Sequence, residues 1–246
     1  MFKGEIMRDH LLDLVQHSID LGCIDMLKIE GTETETKIIG VGNDQSVVID
    51  GVFHHPIAEF VGSFGMPNLP KLKTILNLDE YKQDANLTMS RNNSGDLDGI
   101  EFANKSGDFR NTYRFMVANV VASKVPTPKF RGANWHVEFQ PAAANIQRLK
   151  WQMSANAEEP NFQTKVENGD LKFSFGAAAT HAGNFVFQSA VTGTLKRSWN
   201  YPAAQIASIL GSSGDKTMKL SDDGAMQITV DSGLAVYNYI IPAQTK

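Results

Sequence analysis

With 246 residues, 42% of them hydrophobic and 20% charged, the chain has room for one large domain or two of ordinary size, and its composition excludes a fibre and wholesale disorder. Its net charge of −4 also argues against a protein that grips duplex DNA through an open, strongly basic surface. The charge is uneven, with 11 Lys/Arg and 18 Asp/Glu over residues 1–120 (a balance of −7) and 12 and 9 over residues 121–246 (a balance of +3), so any contact with nucleic acid needs a local basic face on an acidic body.

The chain opens on Phe2 to Ile6, read as a short apolar strand, which runs into a helix from Arg8 to Leu21. Met7, Leu11, Leu12, Leu14, Val15 and Ile19 fall on one side of that helix and Asp9, His10, Asp13, Gln16, His17 and Asp20 on the other, the 3.6-residue period of a helix lying on a core. Gly22 suits the position after its end. Residues 23–30, 36–41 and 45–53 read as strands, rich in Ile, Val and Leu and broken by Gly-Thr-Glu and Gly-Asn-Asp turns. A short helix, Pro70 to Leu76, follows two prolines. Leu87 to Arg91, Gly99 to Ala103 and Arg110 to Val117 complete the first half as strands.

Ala118 to Gly132 holds Pro126, Pro128 and three cations without any period, and is expected to be an extended connector. Its Val120, Val121, Val125 and Phe130 need an apolar surface to lie on. Beyond it, Trp135 to Phe139 reads as a strand and Pro141 to about Met153 as a helix. Asn161 to Val166 and Leu171 to Phe175 flank Asn168-Gly169, a strong short hairpin signal. Asn184 to Val191 and Leu195 to Trp199 read as strands, Ala204 to Leu210 as a helix, and Thr217 to Leu220, Ala225 to Val230 and Leu234 to Ile241 as closing strands.

The two halves have the same plan. Setting Leu72 on Ile206 gives an offset of 134, and Ile6 on Phe139 gives 133. Such a repeat means two copies of one small module, with expected boundaries at 1–117, 118–133 (connector) and 134–246.

Several motifs have a plainer reading than the chemistry they suggest. Gly211-Ser-Ser-Gly-Asp-Lys-Thr217 has its Lys-Thr pair one residue early for a phosphate loop and follows a helix instead of preceding one, so it reads as a helix end and loop. Ser94-Gly-Asp-Leu-Asp-Gly99 fails as a calcium loop because Lys105 stands where the closing glutamate belongs. His54-His55 and the pair His10 and His17 lack metal-ligand spacing and read as surface or capping histidines. There is no Gly-x-Ser-x-Gly elbow, and the lone Cys23 reads as a buried, inert thiol. No catalytic constellation, metal site or cofactor is expected, and an enzyme is the least favoured class. No apolar run reaches the roughly 20 residues of a membrane-spanning helix, and Met1-Phe-Lys-Gly-Glu lacks a signal-peptide core, so a cytoplasmic protein is expected. On the helix after Pro141, Ile146, Leu149 and Met153 form the apolar face, with Trp151 almost opposite beside Gln147 and Arg148. On Pro70 to Leu76, Leu72, Ile75 and Leu76 turn inward while Lys73, Thr74 and Asn77 turn out.

The duplicated plan, the paired helices, the Pro-bearing connector and the ending Tyr237-Asn-Tyr-Ile-Ile-Pro-Ala243 together resemble a DNA polymerase sliding clamp. Within that family the chain looks like the two-domain clamps of T-even-type bacteriophages and of the proliferating-cell-nuclear-antigen group. The resemblance implies an α+β fold of two duplicated clamp domains, each with two helices packed on antiparallel sheets, as part of a closed ring. It implies a non-enzymatic processivity factor in DNA replication, expected to be viral and cytoplasmic in the host: a homotrimer that encircles double-stranded DNA without reading sequence, tethers a DNA polymerase and has a clamp loader as a further partner. Lys71, Lys73, Arg148 and Lys150 would face the DNA. Val41, Val125, Pro126, Pro128, Ile240, Ile241 and Pro242 would border a pocket for partner peptides. The strand at about Arg110 to Val117 would pair with a neighbour's Asn184 to Val191. The acids Asp9, Asp13 and Asp20 on the first helix run against a DNA-facing role for that face. The rival readings are a monomeric DNA-binding processivity or scaffold protein of the same fold, and a phage structural protein.

Overall fold

The computed structural model describes residues 3–125, 132–177, 179 and 181–244, with side chains in the first helix from residue 7 onward. Two compact units divide the chain. The first comprises Met1–Asn43, Ile49–Pro128 and Ser232–Tyr237, and the second Asp44–Val48, Lys129–Asp231 and Asn238–Lys246.

The first unit begins with helix α1 (Lys3–Ile19). The strand expected at Phe2 to Ile6 is replaced by helix over residues 3–6. Met7, Leu11, Leu14 and Val15 are buried at helical spacing, and extending an existing helix adds one hydrogen bond per residue fixed, which outweighs the weak strand signal of so short a run. Strands β1 (Met26–Gly31), β2 (Thr36–Val41), β3 (Val48–Phe53) and β4 (Gly62–Pro67) follow. They lie in the order β4-β1-β2-β3, with β1 antiparallel to β2 and to β4 and Ile29 opposite both Ile38 and Phe64. Strand β4 was not expected, because Gly62, Gly65 and Pro67 are poor strand formers. It forms because Phe64 and Met66 are fully buried.

Helix α2 (Leu69–Leu76) is capped by Asn68, whose side-chain oxygen accepts the Lys71 N–H at 3.3 Å. Strands β5 (Asn86–Arg91), β6 (Leu97–Ala103) and β7 (Arg110–Arg114) then form a separate three-stranded sheet with β7 at an edge. The single strand expected at Arg110 to Val117 breaks at Phe115, and β8 (Met116–Val117) pairs with β4 instead. The expected extended connector also starts differently. Residues Ala118–Lys124 form a short helix, α3, which buries Val121.

In the second unit β9 (Val137–Phe139) precedes helix α4 (Ala143–Ala155). Strands β10 (Asn161–Glu167), β11 (Asp170–Gly176), β12 (Ala182–Gln188) and β13 (Trp199–Pro202) form a sheet in the order β12-β11-β10-β13. Asn168 (φ 53°) and Gly169 (φ 81°) make the two-residue turn between β10 and β11, as the Asn-Gly pair predicts. The strand expected at Leu195 to Trp199 begins only at Trp199. Before it, the Asp222 carboxylate accepts the N–H groups of Lys196 (2.8 Å) and Arg197 (3.2 Å) and holds the segment as a loop. Helix α5 (Ala203–Gly211) leads into β14 (Asp215–Leu220), β15 (Ala225–Asp231) and β16 (Ala235–Pro242). In this sheet β15 lies between β14 and β16, and β14 also pairs with β9.

Apart from β8 and α3 at the end of the first unit and β9 at the start of the second, each unit runs helix, four strands, helix, three strands. The four-stranded orders correspond, β4-β1-β2-β3 against β13-β10-β11-β12. The offset of 134 carries Thr36–Val41 onto 170–175, against Asp170–Gly176, and Leu69–Leu76 onto 203–210, against Ala203–Gly211. The second core is aromatic. Phe173 stacks on Phe162 at 4.2 Å and on Phe187 at 4.3 Å, all three buried, and such pairs add about 0.5–1.5 kcal/mol each beyond area burial.

Candidate functional site

In the first unit α1 and α2 lie side by side. Leu69, Leu72, Ile75 and Leu76 of α2 are buried, as the period requires, leaving Lys71, Thr74 and Asn77 exposed. Lys73 is half-exposed and donates from Nζ to Asp20 Oδ1 of α1 at 2.9 Å. Arg8 Nη2 donates to the Leu76 carbonyl at 2.8 Å and so occupies one of the open acceptors at the end of α2.

The three acids of α1 separate by environment. Asp20 is paired with Lys73, and Asp9 is exposed. Asp13 is turned inward. Its Oδ2 accepts the hydroxyls of Tyr237 (2.7 Å) and Ser232 (3.0 Å), and Oδ1 lies 3.3 Å from His17 Nδ1. Burial alone would push the Asp13 carboxyl up, but the bonds from His17, Tyr237 and Ser232 together hold it below the ordinary carboxylate range. His17 is buried and stacks on Tyr237 with ring centroids 4.6 Å apart and planes 8° apart. The expectation of a surface or capping histidine is therefore wrong for His17, because the aromatic partner that buries it lies at the far end of the sequence. Two of the three acids expected to repel phosphate are thus engaged within the protein.

In the second unit neither α4 nor α5 holds an acidic residue. Leu149 is the buried anchor of α4, with Ile146 and Met153 half-buried beside it. Arg148 donates from Nη1 to the Val186 carbonyl of β12 at 3.0 Å and lies over the Phe185 ring at 5.3 Å, a cation–π contact. Lys150 and Gln147 are exposed, and Trp151 is 63% exposed, the largest value among the exposed large apolar side chains of the described residues. Lys71 and Lys73 therefore share α2, and Arg148 and Lys150 share α4.

Of the residues expected to border a peptide pocket, Val41 and Val125 come together. Val125 joins Ile39 and Val121 in a buried apolar cluster against which Met26, Val41 and Met116 pack half-buried. Ile39, Met26 and Met116 were missed, having no signal beyond being apolar strand residues. Pro126 and Pro128 lie outside the described residues. In the second unit Ile240 and Ile241 are buried in β16 and Pro242 is exposed. Among the described residues no group of three or more His, Cys, Asp or Glu is placed to hold a metal ion, and no helix is long and apolar enough to cross a membrane.

No protein-family model and no curated protein matches the sequence. Solved structures do match, over nearly the whole chain. PCNA from Thermococcus kodakaraensis is 12% identical, with a TM-score of 0.66 over 96% of this chain and 96% of that one. A. fulgidus PCNA bound to the C-terminal region of FEN-1 is 9% identical, with a TM-score of 0.68 over 99% and 96%. The PCNA2-PCNA3 complex from Sulfolobus tokodaii is 12% identical, with a TM-score of 0.67 over 97% of each chain.

Proposed function

We propose that this chain, built on the two-domain PCNA fold, is a sliding clamp: a non-enzymatic, cytoplasmic processivity factor, of viral origin, whose copies close into a homotrimeric ring around double-stranded DNA. One observation underlies the reading. In the first unit the Ala235–Tyr237 part of β16 lies beside β3, Gly51 facing Val236 and the His54 N–H donating to the Leu234 carbonyl at 2.9 Å. Under the repeat, β3 corresponds to β12 and β16 to β7, and β12 and β7 are both open sheet edges. The pairing already made once between β3 and β16 is thus available a second time between β12 of one copy and β7 of the next. A head-to-tail contact of this kind generates rings or filaments, and it covers edges that otherwise invite aggregation. Phe109, 40% exposed just before β7 and tilted against Tyr81 with ring centroids 5.6 Å apart, supplies an apolar contact at that edge.

On this reading the domains span 1–117 and 134–246 with a connector at 118–133. Lys71, Lys73, Arg148 and Lys150 face DNA and touch phosphates without reading bases, which suits sliding. The cluster around Val41 and Val125, with Pro126, Pro128, Ile240, Ile241 and Pro242, takes peptide tails of a DNA polymerase and a clamp loader. The test needs neither partner. A ring threads onto linear duplex over its free ends. If both ends are then blocked, the protein should stay on the DNA through a high-salt wash and leave when the duplex is cut. Binding that ignores the ends and falls steeply with salt would instead mark an open-face DNA binder and overturn the clamp reading. Exchanging Lys71, Lys73, Arg148 and Lys150 for Glu should lower loading several-fold while the fold persists.

A further inference from the structure

The outward stripe of α4 consists of Ala144, Gln147, Arg148, Trp151, Ser154 and Ala155, all exposed. These positions recur at three and four residues and so form one continuous face. Trp151 stands at its centre, 63% exposed. An indole there gains little from packing and leaves a large apolar surface in water, although tryptophan is among the more buried residue types. The charges that α4 and α5 themselves carry have one sign. Arg148 is one turn away, Lys150 is adjacent in sequence, and neither α4 nor α5 contributes an acid. Arg148 spends one of its five donors on Val186, and a guanidinium has others to offer a phosphate.

A flat, exposed π-face beside cations is the chemistry that binds unpaired bases, by stacking along a tracked backbone. Paired bases within a duplex expose no such face unless a step is unstacked, at a cost of a few kcal/mol. From this placement we infer that Trp151, flanked by Arg148 and Lys150, is a stacking site for an unpaired base of single-stranded DNA. The inference rests on the reading of α4 as DNA-facing. It adds a preference the clamp reading lacks, in that a protein sliding on duplex would be held where the duplex gives way to a single strand.

Tryptophan fluorescence of the whole chain reports the contact directly. Trp151 is the exposed one of the three tryptophans, since Trp135 and Trp199 are only partly exposed and Trp199 Nε1 donates to the Asp222 carbonyl at 3.0 Å. Titration with a short oligo-dT at low salt should quench and blue-shift the emission, and blunt duplex of equal charge should do so far less. Trp151→Ala should abolish the quench and weaken oligo-dT binding about 5- to 150-fold, whereas Trp151→Phe should keep most of the affinity. Equal quenching by duplex and single strand, or unchanged oligo-dT affinity in Trp151→Ala, would overturn the inference. Retention of the same variants on end-blocked duplex reads the clamp property separately. In the unaltered protein, absence of oligo-dT quenching with retention intact would sink this site alone, and loss of retention would sink the clamp reading.

Discussion

Asp13 falls on the polar side of a helical wheel, yet three partners reach its carboxylate, and two of them, Ser232 and Tyr237, lie more than two hundred residues away. Nothing local in the sequence marks it as different from Asp9. Asp13→Ala would remove the carboxylate that accepts the Tyr237 and Ser232 hydroxyls, while His17 Nδ1 keeps its 2.9 Å contact with the backbone carbonyl of residue 13, and should cost about 1–3 kcal/mol at pH 7, read from the urea midpoint at unchanged slope. The pH dependence has a definite sign. The native carboxyl is held below its ordinary value, so its contribution is present above about pH 4 and is lost as pH falls through the depressed native value. The stability gap between the natural protein and the variant should therefore narrow on acidification below pH 4; a constant gap would mean that the bonds do not depend on the charge. The cationic site residues were legible for a simple reason. Lys71, Lys73, Arg148 and Lys150 lie on helices whose buried faces are fixed by Leu72, Ile75 and Leu149, and helical period determines the other face. What the period does not encode is a side chain's partner, such as Asp20 for Lys73 or the Val186 carbonyl for Arg148.

At the scale of elements, α3 and β4 depend on each other. A methyl added to Gly65 of β4 would sit 2.6 Å from Val121 Cγ2 on α3, closer than packed atoms allow, and Val121 is fully buried. Gly65→Ala should destabilise the protein by about 1–3 kcal/mol and speed hydrogen exchange at the amides of 118–125 before those of β5 or β6. Exchange that rises evenly over the first unit would contradict a local role for this contact. The same pair explains why both elements went unread. A strand holding Gly62, Gly65 and Pro67 lacks strand propensity, and a seven-residue helix is too short to show a period. Strand β4 exists because β1 pairs with it and Phe64 and Met66 are buried, and α3 because Val121 packs over Gly65, tertiary effects that sequence pattern does not hold. By contrast, α2, α5, the Asn168-Gly169 hairpin and the closing strands were legible, since capping, hydrophobic period and turn chemistry are local. Phe2 to Ile6 shows the opposite error, a strand signal read from too few residues next to a strong helix.

For the whole molecule, the repeat is the property that reaches furthest. One plan of helix, four strands, helix and three strands is used twice, at an offset near 134 residues from β1 through α2 and a shorter one over the three closing strands, and the fold matches PCNA structures at 9–12% identity. A fold held by pattern rather than by particular residues can be reached with so little shared sequence, because a core needs apolar residues of about the right size in the right alternation. The repeat also predicts association, since the first unit sets the Ala235–Tyr237 part of β16 beside β3 and the corresponding edges, β12 and β7, are left over. The most direct measurement is the mass of the particle at micromolar concentration, by size-exclusion chromatography with light scattering. The account predicts three times the 27.0 kDa chain mass, unchanged on moderate dilution; a particle of 27.0 kDa, monomeric across that range, would contradict it.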